Sequence, residues 1–281
     1  MAAYPIVHRV AGKFPALPNH VNAFLVELDH ECVVIDATIA LSSARQLVAI
    51  AQKVKKPIKA ALMTHGHPDH YSGLKVFENL PRYASQGCLD FARKEDAEKG
   101  ALGKSYHGDD YAEPRVFPDT IIKDGAALVL DGYTFTFSDL GPGESDADGM
   151  WVVKGASGTH AFIGDLIAKD CHSFFRDGHL QEWMKLLDRL EETLPADVHF
   201  YYGHGEPGGM AQLRWQRGYN QAFIDAIRAI PAKTVPASET VKQSVVTAVQ
   251  KYLPGDSVIF LLTYDIGHVI EYYWKRYGMV K

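Results

Sequence analysis

The sequence predicts an α/β protein with a helical C-terminal extension, and two observations support this prediction. Short runs rich in β-branched and aromatic residues alternate with amphipathic helical patterns over residues 1–210. From Leu213 onward the pattern changes to helices alone, separated by segments that contain proline. We therefore expect one main domain over residues 1–210 and a helical extension over residues 211–281 that packs on this domain or on a second subunit.

The first half of the chain is predicted to form a hairpin, a helix, a buried strand and a second helix. Strand-like runs at residues 22–28 and 32–36 are separated by three polar residues, which predicts a β-hairpin. Apolar residues then recur at helical spacing up to Val54, after two serines that can cap the helix. An apolar strand at residues 60–64 and a helix at residues 71–80, ended by Pro81, complete this half.

The second half repeats the order of strands followed by a helix. Alternating and apolar runs predict strands at residues 127–130, 133–137, 150–153 and 160–163. The helix that follows has one apolar face, marked by Trp183, Leu186, Leu187, Leu190 and Leu194. A last strand at residues 198–202 completes the predicted α/β domain.

Three histidines and one aspartate fall within six residues, directly after the apolar strand of the first half. They are His65, His67, Asp69 and His70. Imidazole nitrogen and carboxylate oxygen are ligands for zinc, iron and similar transition metals. Gly66 and Pro68 permit the backbone bend through which His65 and His67 converge on one metal, while Asp69 and His70 then point toward a second. The motif predicts a metal site.

Together with two later segments, this motif resembles the metallo-β-lactamase superfamily. Gly164-Asp165 closes one apolar strand and Gly203-His204-Gly205 follows another, in the order in which the superfamily supplies its later ligands. The resemblance covers about residues 1–210 and implies a four-layer αβ/βα metallo-β-lactamase sandwich. It also implies two divalent transition-metal ions, with Asp165 bridging both and His204 completing the second.

The third ligand loop departs from the family pattern, because Glu144 stands where a histidine is expected. A carboxylate can replace an imidazole on a divalent metal, so Glu144 is the expected ligand. The alternatives are that Asp146 or Asp148 takes this place, or that the site is degraded and Glu144 is a solvated loop residue. The implied ligands are His65, His67 and Glu144 on one metal, Asp69, His70 and His204 on the other, and Asp165 between them.

Glu144 also affects the choice of metal. With a bridging hydroxide, the three ligand carboxylates balance the four positive charges of two divalent ions, so the shell is formally neutral. This favours iron or manganese somewhat more than a histidine in that position would. Zinc is nevertheless the metal most expected, with iron and manganese as alternatives.

A dinuclear centre of this kind predicts a hydrolase that cleaves an ester, lactone or thioester bond of a small molecule. Coordination lowers the pKa of water toward about 7, so a hydroxide that bridges two metals is a nucleophile at neutral pH. Asp69 is the candidate that orients this hydroxide or passes a proton to the leaving group. His172 is a second catalytic candidate, as a donor in the cleft. Lower-ranked candidates are His179 and a predicted loop with Tyr106, His107 and Tyr111.

Two other functions stay open. An iron-dependent redox enzyme of the same fold, of the persulfide dioxygenase or diiron oxygen reductase type, would use a similar ligand set. His67 stands where the diiron branch has a glutamate, which counts against that branch. A metal-bearing binding protein without turnover is the third function.

The C-terminal extension is predicted to form helices at residues 213–230, 240–253 and 257–277, separated by residues 231–236 and 254–255. The last helix carries six aromatic side chains: Phe260, Tyr264, Tyr272, Tyr273, Trp274 and Tyr277. Either they pack as ordinary core on the sandwich or on a second subunit, or they cap the metal cleft and shape an apolar substrate pocket. The first interpretation leaves a homodimer through the C-terminal helices open.

The composition agrees with a soluble, enzyme-sized domain, and we expect a cytoplasmic protein that acts on a small-molecule substrate. The chain has 281 residues, of which 47% are hydrophobic and 22% charged, and it can bury a substantial core. A net charge of −5 without a long basic run argues against nucleic acid as a partner. We expect no membrane span and no signal peptide, because a sufficiently long apolar run and a basic start are both missing. The three widely spaced cysteines are expected to be reduced.

Overall fold

The computed structural model describes residues 5–12, 21–231 and 237–278. Most of the predicted linker at residues 231–236 and part of the N-terminal segment lie outside these ranges. Within them the chain forms two β-sheets and eight α-helices.

The first sheet has six strands that lie side by side in chain order. They are β1 (Ile6–Gly12), β2 (Val21–Glu27), β3 (Cys32–Ile35), β4 (Ile58–Leu62), β5 (Arg82–Ala84) and β6 (Thr120–Ile121). The predicted hairpin is the antiparallel pair of β2 and β3, whereas β3 to β6 run parallel to one another. Polar groups that follow β3 and β4 therefore meet at one edge of this sheet.

The second sheet has five strands in the order β11, β10, β9, β8, β7. They are β7 (Ala127–Leu130), β8 (Tyr133–Gly141), β9 (Asp148–Gly155), β10 (Gly158–Ala168) and β11 (His199–His204). All neighbours are antiparallel except β10 and β11, which run parallel. Each predicted strand of the second half is present, and β8 to β10 extend beyond the predicted limits.

Helices flank both sheets. They are α1 (Leu41–Val54), α2 (Pro68–Tyr71), α3 (Gln86–His107), α4 (Leu180–Thr193), α5 (Met210–Arg228), α6 (Glu239–Gln250), α7 (Ile259–Thr263) and α8 (Ile266–Tyr273). Short 3₁₀ segments follow α2 at Ser72–Phe77 and α3 at Gly108–Asp110, and a π-helical turn at Trp274–Gly278 follows α8.

Three apolar cores hold the layers together. Between the sheets, Phe24 and Leu62 of the first pack against Phe137 and Trp151 of the second. On the outer face of the first sheet, α1 and α3 contribute to a second core with side chains such as Leu47. Each fully buried large apolar side chain stabilises the fold by roughly 1.5–3 kcal/mol relative to exposure.

The third core lies on the outer face of the second sheet. Helices α4, α5, α6 and α8 bury Leu187, Phe223, Val249 and Ile270 there. The layer order is thus helix, sheet, sheet, helix, which confirms the predicted four-layer αβ/βα sandwich. The C-terminal helices are part of the outer layer that covers the second sheet.

Hydrogen bonds between the sheets fix the ends of the strands that carry the predicted ligands. The Trp151 indole nitrogen donates to the Met63 carbonyl oxygen over 2.9 Å, and the Gly149 amide donates to the Thr64 carbonyl oxygen over 2.7 Å. On the other side, the Asn22 amide donates to the Tyr202 carbonyl oxygen over 2.9 Å. The ends of β4 and β11 are therefore held to the opposite sheet.

Helix α3 is the main element that the sequence pattern does not predict. Its 22 residues are largely polar, and they include Gly100 and Gly103, which are unfavourable in a helix interior. The Ser85 hydroxyl caps its first turn by accepting from the Cys88 amide. The prediction of a loop around Tyr106 and His107 was therefore wrong, because both residues lie in the last turn of α3.

Two predicted helices are interrupted. The helix expected at residues 71–80 is formed by the end of α2 and the 3₁₀ segment Ser72–Phe77. The helix expected at residues 257–277 breaks between α7 and α8, where Tyr264 is extended and Asp265 has a φ of 51°. A left-handed residue inside the run stops the helical hydrogen-bond pattern.

No helix among the described residues is both long enough and apolar enough to cross a membrane. The three cysteines, Cys32, Cys88 and Cys171, are buried and form no disulfide.

Candidate metal centre

The loop after β4 is held in place by an aspartate that follows the neighbouring strand, β3. The Asp36 carboxylate follows β3 and accepts from the Thr64 amide over 2.9 Å and from the Thr64 hydroxyl over 2.7 Å. Pro68 then occupies the first turn of α2, where its missing N–H costs nothing. The motif is thus a fixed loop followed by a helical turn that carries Asp69 and His70.

The structure brings all seven predicted ligands together. They form two groups of four that share Asp165: His65, His67, Glu144 and Asp165 in the first, and Asp69, His70, Asp165 and His204 in the second. In each group the potential ligand atoms lie within 4.8 Å of one another, and every residue is buried. These groups are called the first and second metal clusters below.

The second cluster has the spacing that a divalent ion requires. His70 Nε2 lies 3.3 Å from Asp165 Oδ1, and His204 Nε2 lies 3.2 Å from Asp165 Oδ2 and 3.4 Å from Asp69 Oδ2. A tetrahedral ion with bonds of about 2.0–2.2 Å holds its ligand atoms roughly 3.3–3.6 Å apart. The four side chains therefore fit a transition-metal ion.

The first cluster contains Glu144, which stands where the family pattern has a histidine. Glu144 Oε2 lies 3.2 Å from His67 Nδ1 and 3.9 Å from His65 Nε2, and Asp165 Oδ2 lies 4.0 Å from His65 Nε2. The distances are somewhat longer than in the second cluster, but all four donors face one another. Glu144 is thus buried against the histidines and is not a solvated loop residue.

The two alternative residues of the third loop are engaged elsewhere. Asp148 accepts from the Ser145 amide and hydroxyl over 3.1 and 2.9 Å. Asp146 pairs with Lys94 and with His179, each over 2.8 Å. The structure therefore places Glu144, and neither Asp146 nor Asp148, in the first cluster.

The clusters concentrate buried ionisable groups. Among the described residues, His65 Nε2, His70 Nε2, Glu144 Oε2 and Asp165 Oδ1 are buried without a hydrogen-bond partner. Burial of polar atoms without partners is costly, and cations that accept their lone pairs remove the cost. The donor set and its unpaired lone pairs therefore fit bound transition-metal ions.

The carboxylates respond differently to this environment. Burial raises the pKa of Glu144 to about 7, although the charge of the neighbouring His67 acts in the opposite direction. Burial also acts to raise the pKa of Asp69, but the charges of His70 and His204 lower it to about 2. The second cluster thus holds an ionised carboxylate more readily than the first.

Three residues outside the clusters orient the histidine ligands. The Asp36 carboxylate accepts from His70 Nδ1 over 3.0 Å, the Asp177 carboxylate accepts from His67 Nε2 over 2.9 Å, and the Thr64 hydroxyl accepts from His65 Nδ1 over 3.1 Å. Each bond leaves the other ring nitrogen directed into its cluster. Hydrogen bonds of this kind fix the tautomer of a ligand histidine and raise its basicity.

Sequence reasoning did not identify Asp36 or Asp177 as parts of the site. A signal existed for Asp36, which directly follows a buried strand that pairs in parallel with β4. Asp177 lies in an irregular segment before α4, and nothing in its local pattern distinguishes it.

Two glycines allow the close approach of the strands that carry the ligands. A Cβ atom on Gly203 would lie 1.8 Å from Asp165 Oδ1 and 2.6 Å from His70 Cε1. Gly164 has a φ of 59°, and a Cβ atom there would lie 2.7 Å from Thr64 Oγ1. The glycines next to Asp165 and His204 are therefore required by the packing of the site.

The structure does not bring the second catalytic candidate, His172, to the clusters. Its Nε2 donates to the Gly255 carbonyl oxygen over 3.0 Å, and its Nδ1 accepts from the Tyr219 hydroxyl over 2.8 Å. The ring is fully buried and burial lowers its pKa, so the neutral form is favoured. Both nitrogens are used to join the segment after β10 to the C-terminal extension, and His172 belongs neither to the two clusters nor to the lining of the cleft.

An open cleft lies over the clusters. His67, Asp69, Glu144 and Asp165 line its floor. Its walls are mostly apolar or aromatic: Ile39, Pro68, Leu102, Gly103, Tyr106, Phe174, Phe260, Leu261 and Tyr264, together with Lys99.

The aromatic residues of the extension divide between the two expected roles. Phe260 and Tyr264 line the cleft, together with Leu261 of α7. Tyr273 is buried in the outer core of the second sheet, and Tyr272, Trp274 and Tyr277 pack against that core.

Comparison with known proteins agrees with this geometry. Residues 16–204 match the family model described as the metallo-beta-lactamase superfamily. A beta-lactamase domain protein from Burkholderia ambifaria has a similar structure, with a TM-score of 0.68 and 19% identity over 96% of this chain and 86% of that chain. A metallo-beta-lactamase family protein from Thermus thermophilus gives a TM-score of 0.67 and 19% identity over 98% of this chain and 95% of that chain. Likeness at this identity shows the fold alone.

A curated relative matches over a short segment. A linear primary-alkylsulfatase from Pseudomonas sp. is 35% identical over 54 residues, which are 19% of this chain. The match spans 10% of the length of that enzyme.

The family match extends from residue 16 to residue 204 and includes all seven residues of the two metal clusters. The chain therefore belongs to the metallo-β-lactamase superfamily.

Proposed function

We propose that the protein is a dinuclear metal-dependent hydrolase that cleaves an ester, lactone or thioester bond of a small molecule. The observation that carries the proposal is the pair of four-residue clusters sharing Asp165 at the floor of an apolar cleft. Two ions held next to each other by these clusters would have open space above them. Such a site suits a nucleophilic attack on a bond held in the cleft.

Each cluster would hold one ion. His65, His67, Glu144 and Asp165 would hold one ion, and Asp69, His70, His204 and Asp165 the other. When bound, the ions would supply Lewis acidity and a water activated as a nucleophile at neutral pH. Zinc best matches a set of imidazoles and carboxylates, and the same set also accepts iron or manganese.

Asp69 has a second role in this proposal. Its carboxylate lines the cleft and also contacts His204 in the second cluster. A carboxylate in this place can orient the attacking water and pass a proton to the leaving group. A positioned proton-transfer group of this type typically contributes about 10²–10⁴-fold in rate.

A sulfate ester is the second candidate substrate, because the short curated match is to a linear primary-alkylsulfatase. Cleavage of that bond would require the cleft to admit an anionic head group. An iron-dependent redox function is an alternative supported by the donor set alone, and oxygen uptake by the iron-loaded protein would test it. A metal-bearing protein without turnover would bind ions but cleave no substrate of a broad ester and lactone panel.

The first test replaces Asp69 by asparagine, which keeps the size and removes the charge. Asp69→Asn should lower kcat for an aryl ester or lactone by about 10²–10⁴-fold. The melting temperature of the metal-free protein should stay nearly unchanged. Metal content is measured in parallel, because Asp69 is also a proposed ligand. The matched control is Asp109→Asn, which changes a fully exposed carboxylate outside the cleft. Unimpaired hydrolysis by Asp69→Asn would refute the proposed role.

A further inference from the structure

The upper part of the cleft is built to hold an apolar group. Helix α7 contributes Phe260 and Leu261, and Tyr264 follows it. The Tyr264 ring packs on Phe174 with the ring centroids 5.9 Å apart, and Leu102 of α3 completes the wall. A substrate group that removes this apolar surface from water is stabilised by the hydrophobic effect.

Lys99 is the only lysine or arginine among the described residues that line the cleft. Its ammonium group contacts the carboxylate of Glu95, one turn earlier in α3, and lies 4.8 Å from the centre of the Phe174 ring. The side chain of Glu95 is 1% exposed and that of Lys99 is 14% exposed. The one fixed cation of the cleft wall is therefore already paired with a buried carboxylate.

The floor of the cleft does not supply an excess of positive charge either. Two divalent ions would carry four positive charges. This positive charge is opposed by the cluster carboxylates of Asp69, Glu144 and Asp165. It is also opposed by the carboxylates of Asp36 and Asp177, which are hydrogen-bonded to His70 and His67. An anionic group that enters a low-dielectric site without an unpaired cation loses its hydration at a large cost.

Resting on the proposed hydrolase function, we propose that the site selects an uncharged ester, lactone or thioester with an apolar group against the α7 wall, and excludes alkyl sulfates. The Lys99–Glu95 pair is the selecting element. Glu95 neutralises the ammonium group that would otherwise attract an anionic head group. The apolar wall by itself would accept the alkyl chain of either substrate, so discrimination depends on charge.

The first experiment compares two substrates with the same chain on the metal-loaded protein. Octyl acetate should be cleaved and octyl sulfate should not. In calorimetry, 1-octanol should bind at least about tenfold more tightly than octyl sulfate, and Phe260→Ala should weaken 1-octanol binding. Binding or cleavage of octyl sulfate as good as that of the neutral ligand would overturn the inference. The comparison of the two substrates and of the two ligands uses the parent protein, and only the Phe260→Ala measurement needs a folded variant.

The second experiment removes the carboxylate that pairs with the Lys99 ammonium group. Glu95→Gln should raise the affinity for octyl sulfate by about tenfold or more, because Lys99 then lacks its paired carboxylate. Metal content is measured in parallel, because Glu95 Oε2 also lies 4.0 Å from His67 Nε2. The matched control is Asp90→Asn, which removes the same charge from an exposed position of the same helix, where among the described residues the carboxylate contacts only the Gln86 side chain, and it should leave the preference unchanged. Unaltered octyl sulfate affinity in Glu95→Gln would show that the pair does not select.

The results also separate this inference from the function on which it rests. If the metal-loaded protein prefers 1-octanol over octyl sulfate but cleaves no ester, the hydrolase proposal fails and the selectivity stands. If it cleaves octyl sulfate in preference to octyl acetate, the hydrolase proposal stands and the selectivity fails.

Discussion

Glu144 is the residue at which this metal centre differs from the histidine expected in its superfamily. It reaches the first cluster because the loop between β8 and β9 turns its side chain inward, 3.2 Å from His67 Nδ1. Gly143, just before it, approaches Leu166 so closely that a Cβ atom would lie 2.6 Å from the leucine side chain. The loop is thus tightly packed, and Glu144 has little freedom to lie elsewhere.

Two substitutions of Glu144 should separate a ligand role from a merely structural one. Glu144→Ala should lose metal from one site, because the first cluster then keeps only three ligand residues. Glu144→His should retain two ions with a shift toward zinc over iron or manganese, since imidazole replaces a carboxylate. Mass spectrometry of metal content, after loading with mixed ions, measures both. If Glu144→Ala binds two ions as tightly as the parent protein, Glu144 is not a ligand.

At this scale the motif predicts the four ligands that are close in the chain, and the family resemblance adds Glu144, Asp165 and His204. Residues that only the fold brings to the site, such as Lys99, are missed. His65, His67, Asp69 and His70 are recognisable because they fall within six positions. The position of Lys99 could not be predicted, because it depends on α3. The polar sequence and internal glycines of α3 do not show a helical pattern.

At the scale of elements, the site depends on how closely β11 lies to β10 and to α2. Gly203 of β11 faces Asp165 of β10 and His70 of α2. The parallel pairing of β10 and β11 shifts register on both sides of Gly164, so the regular pairing is interrupted beside Asp165. A side chain at position 203 would push these elements apart.

Gly203→Ala should therefore damage both the fold and the metal site. Its Cβ atom would lie 1.8 Å from Asp165 Oδ1, and overpacking of this kind typically lowers the free energy of unfolding by about 1–3 kcal/mol. Metal content should fall with it. Gly209→Ala is the control, because its nearest neighbour would be the Val198 carbonyl oxygen at an ordinary 3.5 Å. Denaturant unfolding and metal analysis of both variants check the prediction, which an unchanged Gly203→Ala protein would contradict.

The elements with clear apolar periodicity were predictable, and those set by tertiary contacts were not. Helix α4 and strands β8 to β10 show their pattern in the sequence. The break between α7 and α8 did not, because the apolar and aromatic run continues through Tyr264 and Asp265. That break turns Phe260 and Tyr264 toward the cleft while Tyr273 stays in the core.

At the scale of the whole molecule, the sandwich brings the ends of both sheets to one edge and the extension closes one side of the cleft. The layer order was predictable only through the resemblance to a known family, since strand and helix patterns alone do not determine how two sheets stack. A homodimer through the C-terminal helices stays a prediction. Sedimentation velocity on the parent protein tests it.

Asp165 belongs to both metal clusters, and we propose that the chain holds two metal ions through this shared residue. The most direct measurement is the metal content of protein purified after metal supplementation, for the parent and for Asp165→Ala, with Asp109→Ala as an exposed control. We predict about two transition-metal ions per chain for the parent and the control, one for each cluster, and clearly fewer for Asp165→Ala. A well-folded parent protein with almost no metal, or an Asp165→Ala variant that keeps two ions, would contradict the account.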